Sequence, residues 1–396
     1  MAKRTIKDLD LQGRRVFIRV DFNVPLESGV IGDDTRIRAS LPTIRFVLAR
    51  NPQVVVLASH LGRPKGAPRP ELSLRPIADH LADLLNRPVT FAEDCIGEPA
   101  RAALSRAGNG GVVLLENLRF HKEEEANDEA FAHALAALCD VYVDDAFGSA
   151  HRAHASTEGM VRVVDTAAAG LLMAREIEYL SKALEQPERP FVAVLGGAKV
   201  SGKLEVIENL LARVDSLVIG GAMAYTFLGA RGVPVGKSLV EKELAGTATD
   251  LERRAKARHV TLALPVDHVV TDEIAPGARG EVLTVGDSAI GDRMGVDIGP
   301  DTVKRYAAII RSAKTVVWNG PMGVFEIDGF AAGTNAVARA VVEVRGTTII
   351  GGGDSIAAVT KAGVADRVSH ISTGGGASLE FLGGRTLPGV AILPDA

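Results

Sequence analysis

The sequence predicts an α/β protein of two doubly wound parallel-sheet domains joined by a helix, and three observations carry that prediction. At 396 residues the chain exceeds the size at which a single hydrophobic core keeps growing, so two domains are expected. Hydrophobic residues make up 46% and aromatics only 4%, so packing must come from Val, Leu, Ile and Ala, the residues of buried parallel strands. Short β-branched runs alternate with helical patterns throughout, the pattern of strands joined by helical crossovers.

In the first half, Arg15–Asp21, Gln53–Ser59, Gly111–Leu115 and Val141–Asp144 read as strands, and Ile37–Arg50, Leu74–Leu85 and Asp128–Leu138 as helices. Leu171–Glu185 reads as one amphipathic helix stopped by Gln186–Pro190, whose two prolines mark a domain junction. In the second half, five apolar runs each stop at a glycine cluster: Phe191–Leu195, Leu217–Ile219, Thr315–Trp318, Thr347–Ile350 and His370–Ser372. Turns of this kind line the crevice at the carboxyl ends of a parallel sheet, where ligands bind.

The net charge of −4 gives no global attraction to nucleic acid or anionic membrane, so any basic site must be local. Cys95 and Cys139 are too few for a disulfide framework and have no metal-ligand spacing, as expected of reduced cysteines in a cytoplasmic protein. The stretch MAKRTIKDLDLQG lacks the apolar region of a signal peptide, and the apolar runs are too short to span a membrane.

Glycine lets a backbone approach a ligand, and helix N-termini offer unpaired N–H groups and a positive dipole end. Gly351-Gly352-Gly353-Asp354-Ser355 adds a carboxylate to such a turn. Two readings of Asp354 stay open here, a ligand for Mg²⁺ on nucleotide phosphates or a cap for the following helix. Gly197–Lys203 matches the first seven positions of a P-loop, but Leu204 stands where Ser or Thr must ligate the metal, which excludes that motif. The spacing of Lys199 and Lys203 predicts two lysines on one helix face beside the glycine turn.

Basic residues of the first half fall at or just after strand ends: Arg36, His60, Arg63, Arg119, His151 and Arg152, with Asp21 and Asn23 closing the first strand. If those ends converge, guanidinium forks form a basic bowl for a small, multiply charged anion.

The chain resembles the phosphoglycerate kinase family along nearly its whole length. The matching segments are Arg19–Pro25, Ser59–Pro64, Glu116–Phe120, Asp145–His154, Leu195–Val200, Gly220–Ala224, Trp318–Glu326, Gly351–Ser355 and Ser372–Leu379. The resemblance implies two Rossmann-like domains with a hinge. Residues 1–172 would bind phosphoglycerate, 173–190 link, and 191–381 bind Mg-nucleotide, with the tail 382–396 packed on the first domain. It implies reversible phosphoryl transfer from 1,3-bisphosphoglycerate to ADP, giving 3-phosphoglycerate and ATP, by a cytoplasmic monomer that uses Mg²⁺. Its partners would be those small molecules, with no nucleic acid or membrane. Asp21, Phe22, Asn23, Arg36, His60, Leu61, Gly62, Arg63, Arg119 and Arg152 match the acid-substrate site. Lys199, Lys203, Gly220, Asn319, Glu326, Gly352, Gly353, Asp354 and Ser355 match the nucleotide site, with Glu326 on the ribose and Asp354 on Mg²⁺. Gly375 belongs to a turn whose amides would face the transferring group. One departure is Gly383, where the family commonly has an acidic residue.

The acceptor carboxylate, with a pKa of roughly 4, needs no general base at neutral pH. Catalysis is then positioning and charge stabilisation, with Arg36, Lys199 and the amides near Gly353 and Gly375 on the moving phosphoryl group. A dehydrogenase reading fails because GxGxxG and its acidic partner are absent from the second half. A non-catalytic nucleotide-binding protein predicts binding without turnover.

Overall fold

The structure is a computed structural model that describes residues 3–396. Met1 and Ala2, which begin the basic N-terminal stretch and the first expected domain, lie outside the described residues. The chain forms two compact units, Met1–Glu178 with Thr386–Ala396, and Tyr179–Arg385. The partition therefore falls inside the helix Leu171–Glu185 and after Arg385.

Unit 1 contains β1 (Arg15–Arg19), a small hairpin of β2 (Leu26–Glu27) and β3 (Val30–Ile31), β4 (Val54–Ala58), β5 (Val89–Phe91), β6 (Gly111–Leu114), β7 (Val141–Asp144) and β8 (Ala167–Ala169). The main sheet has the order β5-β6-β4-β1-β7-β8 and is parallel throughout. Alternate residues of one strand feed opposite layers, as the two-residue period requires. Val16, Ile18, Val55 and Leu57 pack with Ile37, Ile44 and Ile77 of the helices Thr35–Leu48 and Arg75–Leu85. Phe17, Val54, Val56 and Ala58 pack on the other face with Ala100, Ala103, Phe131 and Leu135 of the helices Gly97–Ala107 and Glu129–Ala136. Both faces are covered, which explains the continuous apolar runs.

The segment Thr386–Ala396 completes this unit. Gly389 N–H donates to Ala150 O at 2.9 Å, Arg4 N–H to Pro394 O at 2.9 Å, and Lys3 Nζ bonds Asp395 at 2.8 Å. Leu382–Arg385, expected to travel with it, stays in unit 2. Asn209 Nδ2 donates to Leu382 O at 2.6 Å and Arg385 pairs with Glu205 at 2.5 Å.

Unit 2 contains β9 (Phe191–Leu195), β10 (Ser216–Ile219), β11 (Thr261–Ala263), β12 (Asp267–Thr271), β13 (Glu281–Thr284), β14 (Met294–Ile298), β15 (Thr315–Asn319), β16 (Thr347–Gly351) and β17 (His370–Ile371). Its main sheet has the order β11-β10-β9-β15-β16-β17, again parallel. A second, antiparallel sheet β13-β12-β14 was not anticipated. Its own apolar cluster is only Val270, Leu283 and Ile290, and Val282 is half exposed, so its strands lack a long apolar run.

In each unit the chain builds one side of the sheet from a central strand and then the other; in unit 1, β5 reaches the edge before β6 inserts between it and β4. The switch point lies between β1 and β7 in unit 1 and between β9 and β15 in unit 2. Crevices beyond the carboxyl ends open at such points.

Candidate active site

In unit 1 the residues that follow β1, β4 and β6 are tied to one another by short contacts. Asp21, nearly buried, accepts from Asn23 N–H at 3.2 Å and lies 3.5 Å from Arg36 Nη1. Arg36, from the first turn of the helix Thr35–Leu48, also donates Nη1 to Asn23 O at 2.9 Å. Asn23 Oδ1 accepts from Gly62 N–H at 2.9 Å, and Phe22 N–H donates to Ser59 Oγ at 2.8 Å. Asn117 braces the second loop: its Oδ1 accepts from Leu61 N–H and Arg119 N–H, and its Nδ2 donates to Leu61 O at 2.8 Å. Arg119 Nη1 donates to Gly62 O at 2.9 Å, and its buried Nε has no hydrogen-bond partner.

Several positive charges thus share a small volume. Burial lowers the Arg119 pKa and Arg19 and Arg152 act in the same direction, while Glu125, 3.5 Å from its Nε, and the buried Glu124 oppose them. Burial pushes His60 well below the usual imidazole range, with Arg19, Arg119, His154 and Arg36 acting in the same direction. A partly desolvated cluster of guanidinium groups is stabilised by an arriving anion.

In unit 2 the loops after β9, β10, β15 and β16 surround a cavity of about 250 Å³, lined by Gly197, Gly221, Tyr225, His268, Asp297, Pro321, Met322, Glu326 and Asp354 among others. The glycines here serve two needs. A Cβ on Gly196 would lie 2.0 Å from Pro321 O, and one on Gly320 would lie 2.3 Å from Gly196 O, so these positions are glycine because backbone meets backbone. A Cβ on Gly353 would meet nothing within 4 Å. Gly353 opens the helix Gly353–Lys361, with Gly352 as its N-cap and no side-chain cap.

Lys203 Nζ donates to Gly196 O at 2.7 Å and Asn319 O at 2.8 Å, at the turns that follow the two central strands. Burial brings its pKa down to about 8, opposed by the charge of Asp354. Asn319 Nδ2 is buried without a partner. Asp354 lies in the first turn of its helix, exposed at the cavity wall, and makes no hydrogen bond to the protein among the described residues.

Residues 6–385 match the family model described as phosphoglycerate kinase. The chain belongs to the phosphoglycerate kinase family. It is 57% identical over 394 residues to the phosphoglycerate kinase of Anaeromyxobacter sp. (strain K), covering 98% of this chain and 99% of that one. It is 58% identical over 398 residues to that of Solibacter usitatus, covering 99% and 100%. The solved phosphoglycerate kinase of Coxiella burnetii superposes with a TM-score of 0.89 at 42% identity, over 98% of both chains. The function is accordingly that of a phosphoglycerate kinase, a glycolytic phosphotransferase with a carboxyl group as acceptor.

Of the residues singled out by resemblance to that family, contacts or electrostatics bring together Asp21, Phe22, Asn23, Arg36, His60, Leu61, Gly62, Arg119 and Arg152 in unit 1. Arg63 is exposed in the turn after Gly62, and Arg152 is exposed with its Nε 3.2 Å from His151 Nε2. In unit 2, Glu326 and Asp354 share the cavity, and Lys203 joins Asn319 behind it. Gly220 follows β10 and packs against Met322, where a Cβ would lie 2.3 Å from the sulfur. Ser355 is fully buried, its hydroxyl accepting from Gly320 N–H at 2.6 Å. Gly375, with φ +51, caps the short helix Gly376–Leu382.

One expectation changes and one open alternative closes. Lys199 and Lys203 do not share a helix face, because the helix begins only at Leu204. Lys199 is exposed in the loop before the 3-10 turn while Lys203 turns inward from it. Asp354 is not a helix cap, because Gly352 holds that position. Sequence reasoning missed Tyr225, His268 and Asp297 in the cavity wall. Tyr225 Oη and His268 Nδ1 lie 3.0 Å apart, and burial raises Asp297 to about 7. It also gave no role to Arg19, whose signal was a charge inside the apolar run Val16–Val20.

Proposed function

We propose that unit 1 holds the phosphoglycerate and unit 2 the Mg-nucleotide, with Arg36 and Lys199 as the cations that meet on the transferring phosphoryl group. The observation that carries this reading is the tied group of Asp21, Asn23, Arg36, Gly62 and Arg119, a basic site in a chain of net charge −4. Asp21 and Asn23 O occupy Arg36 Nη1 only. They orient the guanidinium and leave Nε and Nη2 for phosphate or carboxylate oxygens. Arg63, Arg119, Arg152 and His60 supply further donors to the acid substrate.

In unit 2, Lys203 and the amides at Gly352 and Gly353 face nucleotide phosphates, Asn319 supplies its unpartnered Nδ2, and Glu326 takes the ribose. Asp354, a free carboxylate at the cavity wall, has the chemistry to hold the Mg²⁺ that accompanies the nucleotide. That ion neutralises phosphate charge when bound.

The acceptor carboxylate attacks in line, and Arg36, Lys199 and the amides near Gly353 and Gly375 take up the charge spread over the equatorial oxygens. No side chain needs to remove a proton. Donor and acceptor are held by different units, so we infer that the units close on one another before transfer and exclude water. The buried, free Cys95 and Cys139 agree with a reducing cytoplasm, and we take the chain to act as a monomer.

A coupled assay for ATP formation from 1,3-bisphosphoglycerate and Mg-ADP tests the reaction: turnover is expected, and binding without turnover would refute it. Small-angle scattering tests closure. Both ligands together should reduce the radius of gyration, and an unchanged radius would rule closure out.

A further inference from the structure

Arg19, the last residue of β1, is completely buried, and each kind of donor in its guanidinium is committed. Nε donates to Ser156 Oγ at 2.8 Å, Nη1 to Val20 O at 2.5 Å, and Nη2 lies 3.2 Å from His60 Nδ1. A guanidinium carries donors and no acceptor, so Nδ1 must receive that hydrogen bond through its lone pair. The proton of a neutral His60 ring then belongs to Nε2. No protein group among the described residues hydrogen-bonds Nε2. The groups acting on the ring are Arg19, Arg119, Arg36 and His154, and each of them opposes a second proton.

The arrangement continues inward. Ser156 Oγ accepts from Arg19 and donates to Glu124 Oε1 at 2.5 Å, while Ser156 N–H donates to Oε2 at 2.9 Å. Glu124 is itself completely buried. Burial raises its pKa, while Arg19 and the two hydrogen bonds from Ser156 favour the carboxylate, the negative charge that a buried guanidinium requires. None of these three buried residues is exposed to the ligand space that Arg36 and Arg119 border; Arg19 and Glu124 act on Arg119 only through their charge, whereas the hydrogen-bonded route into the site runs through His60.

We propose that the buried chain Glu124–Ser156–Arg19 is a positioning device that fixes His60 as its neutral, Nε2-protonated tautomer. The acid-substrate site then presents an uncharged, directional N–H donor among its guanidinium forks. This rests on the reading of unit 1 as the phosphoglycerate site. An N–H of fixed direction distinguishes one oxygen of the ligand by position, which the surrounding positive charge cannot do.

The tautomer is read from long-range ¹H–¹⁵N spectra of the ligand-free, full chain, with His60→Gln used to assign the ring. The expected pattern is the Nε2-protonated one across roughly pH 6 to 8, where an ordinary histidine titrates. An Nδ1-protonated or an imidazolium pattern overturns the proposal, and this measurement needs no variant of the buried chain. Arg19→Met should give a mixture of tautomers and raise the KM for 3-phosphoglycerate about tenfold, the loss expected of one hydrogen bond to a charged group. The KM for nucleotide should stay unchanged. Retention of a single tautomer in Arg19→Met, or an equal rise in both KM values, counts against the device. His60→Gln, whose amide nitrogen falls near Nε2, should keep more phosphoglycerate affinity than His60→Asn, and the reverse order overturns the proposal. If the ligand-free tautomer is as expected but 3-phosphoglycerate leaves the His60 signals unmoved, the assignment of the site fails and the fixed tautomer stands.

Discussion

At the scale of single residues, two cations differ in how they are held. Arg36 is partly exposed and steered by Asp21 and Asn23. Arg36→Ala should lower kcat by roughly 10²–10³-fold, the usual effect of removing one transition-state donor. Nucleotide affinity, measured by calorimetry, should barely move. A collapse of nucleotide affinity would reverse the assignment of ligands to units. Lys203 is half-buried, its ammonium held by two carbonyl oxygens, and its folded pKa of about 8 lies below the ordinary 10.5. Between those values the unfolded chain binds more protons than the folded one, so this group makes stability rise with pH across that window and adds nothing below it. Phosphate binding favours the charged form. Mg-ADP should therefore bind with proton uptake near pH 8.5 and without it near pH 6.5, as read by titration calorimetry in buffers of different ionisation heat. Lys203→Met should abolish the uptake.

At the scale of elements, the turns after the central strands combine two requirements on glycine, and substitution separates them. Gly196→Ala drives a methyl group into Pro321 O and should cost about 2–3 kcal/mol of stability. Gly353→Ala meets open space, so stability should change by no more than about 0.5 kcal/mol. If the phosphates approach the Gly353 amide, Mg-ADP binding in that variant should nevertheless weaken about tenfold. Unchanged binding would remove Gly353 from the site. The strands are legible in the sequence as apolar runs, with glycine punctuation in the second half; the reading of Phe191–Leu195 and of Val141–Asp144 matches the strand bounds. Val89–Phe91 and Ala167–Ala169 are not legible in this way. Both are short and lie at the sheet edges; Val89–Phe91 is only half-buried, and Ala167–Ala169, though buried, is all alanine, which carries no β-strand preference. The site was legible where motif and strand end coincide, as at Asp21 and His60. It was illegible at Glu124, which looks like its neighbours in Lys122–Glu125 until the fold buries it. The inward turn of Lys203 was equally hidden, because spacing alone does not show where a helix begins.

At the scale of the molecule, the two compact units should respond to ligands separately. Hydrogen exchange followed by mass spectrometry should show 3-phosphoglycerate slowing amides around Asn23, Gly62 and Arg119, and Mg-ADP slowing those around Gly197, Gly320 and Gly353. Protection of the unit 1 loops by Mg-ADP alone would contradict the proposed division of labour.

The route of the chain through unit 1 has a consequence for its biosynthesis. Unit 2 is one continuous stretch, Tyr179–Arg385, whereas unit 1 needs Thr386–Ala396 to meet Arg4 and Ala150. A ribosome delivers all of unit 2 before it delivers that segment. The first 178 residues must therefore wait, incompletely assembled, while a later stretch of the polypeptide can already reach its native state. Order of emergence and order of completion are inverted. A nascent chain that ends at Arg385 and is extended by a flexible linker long enough to clear the ribosomal tunnel should carry a protease-resistant unit 2 beside a unit 1 that is still readily cut.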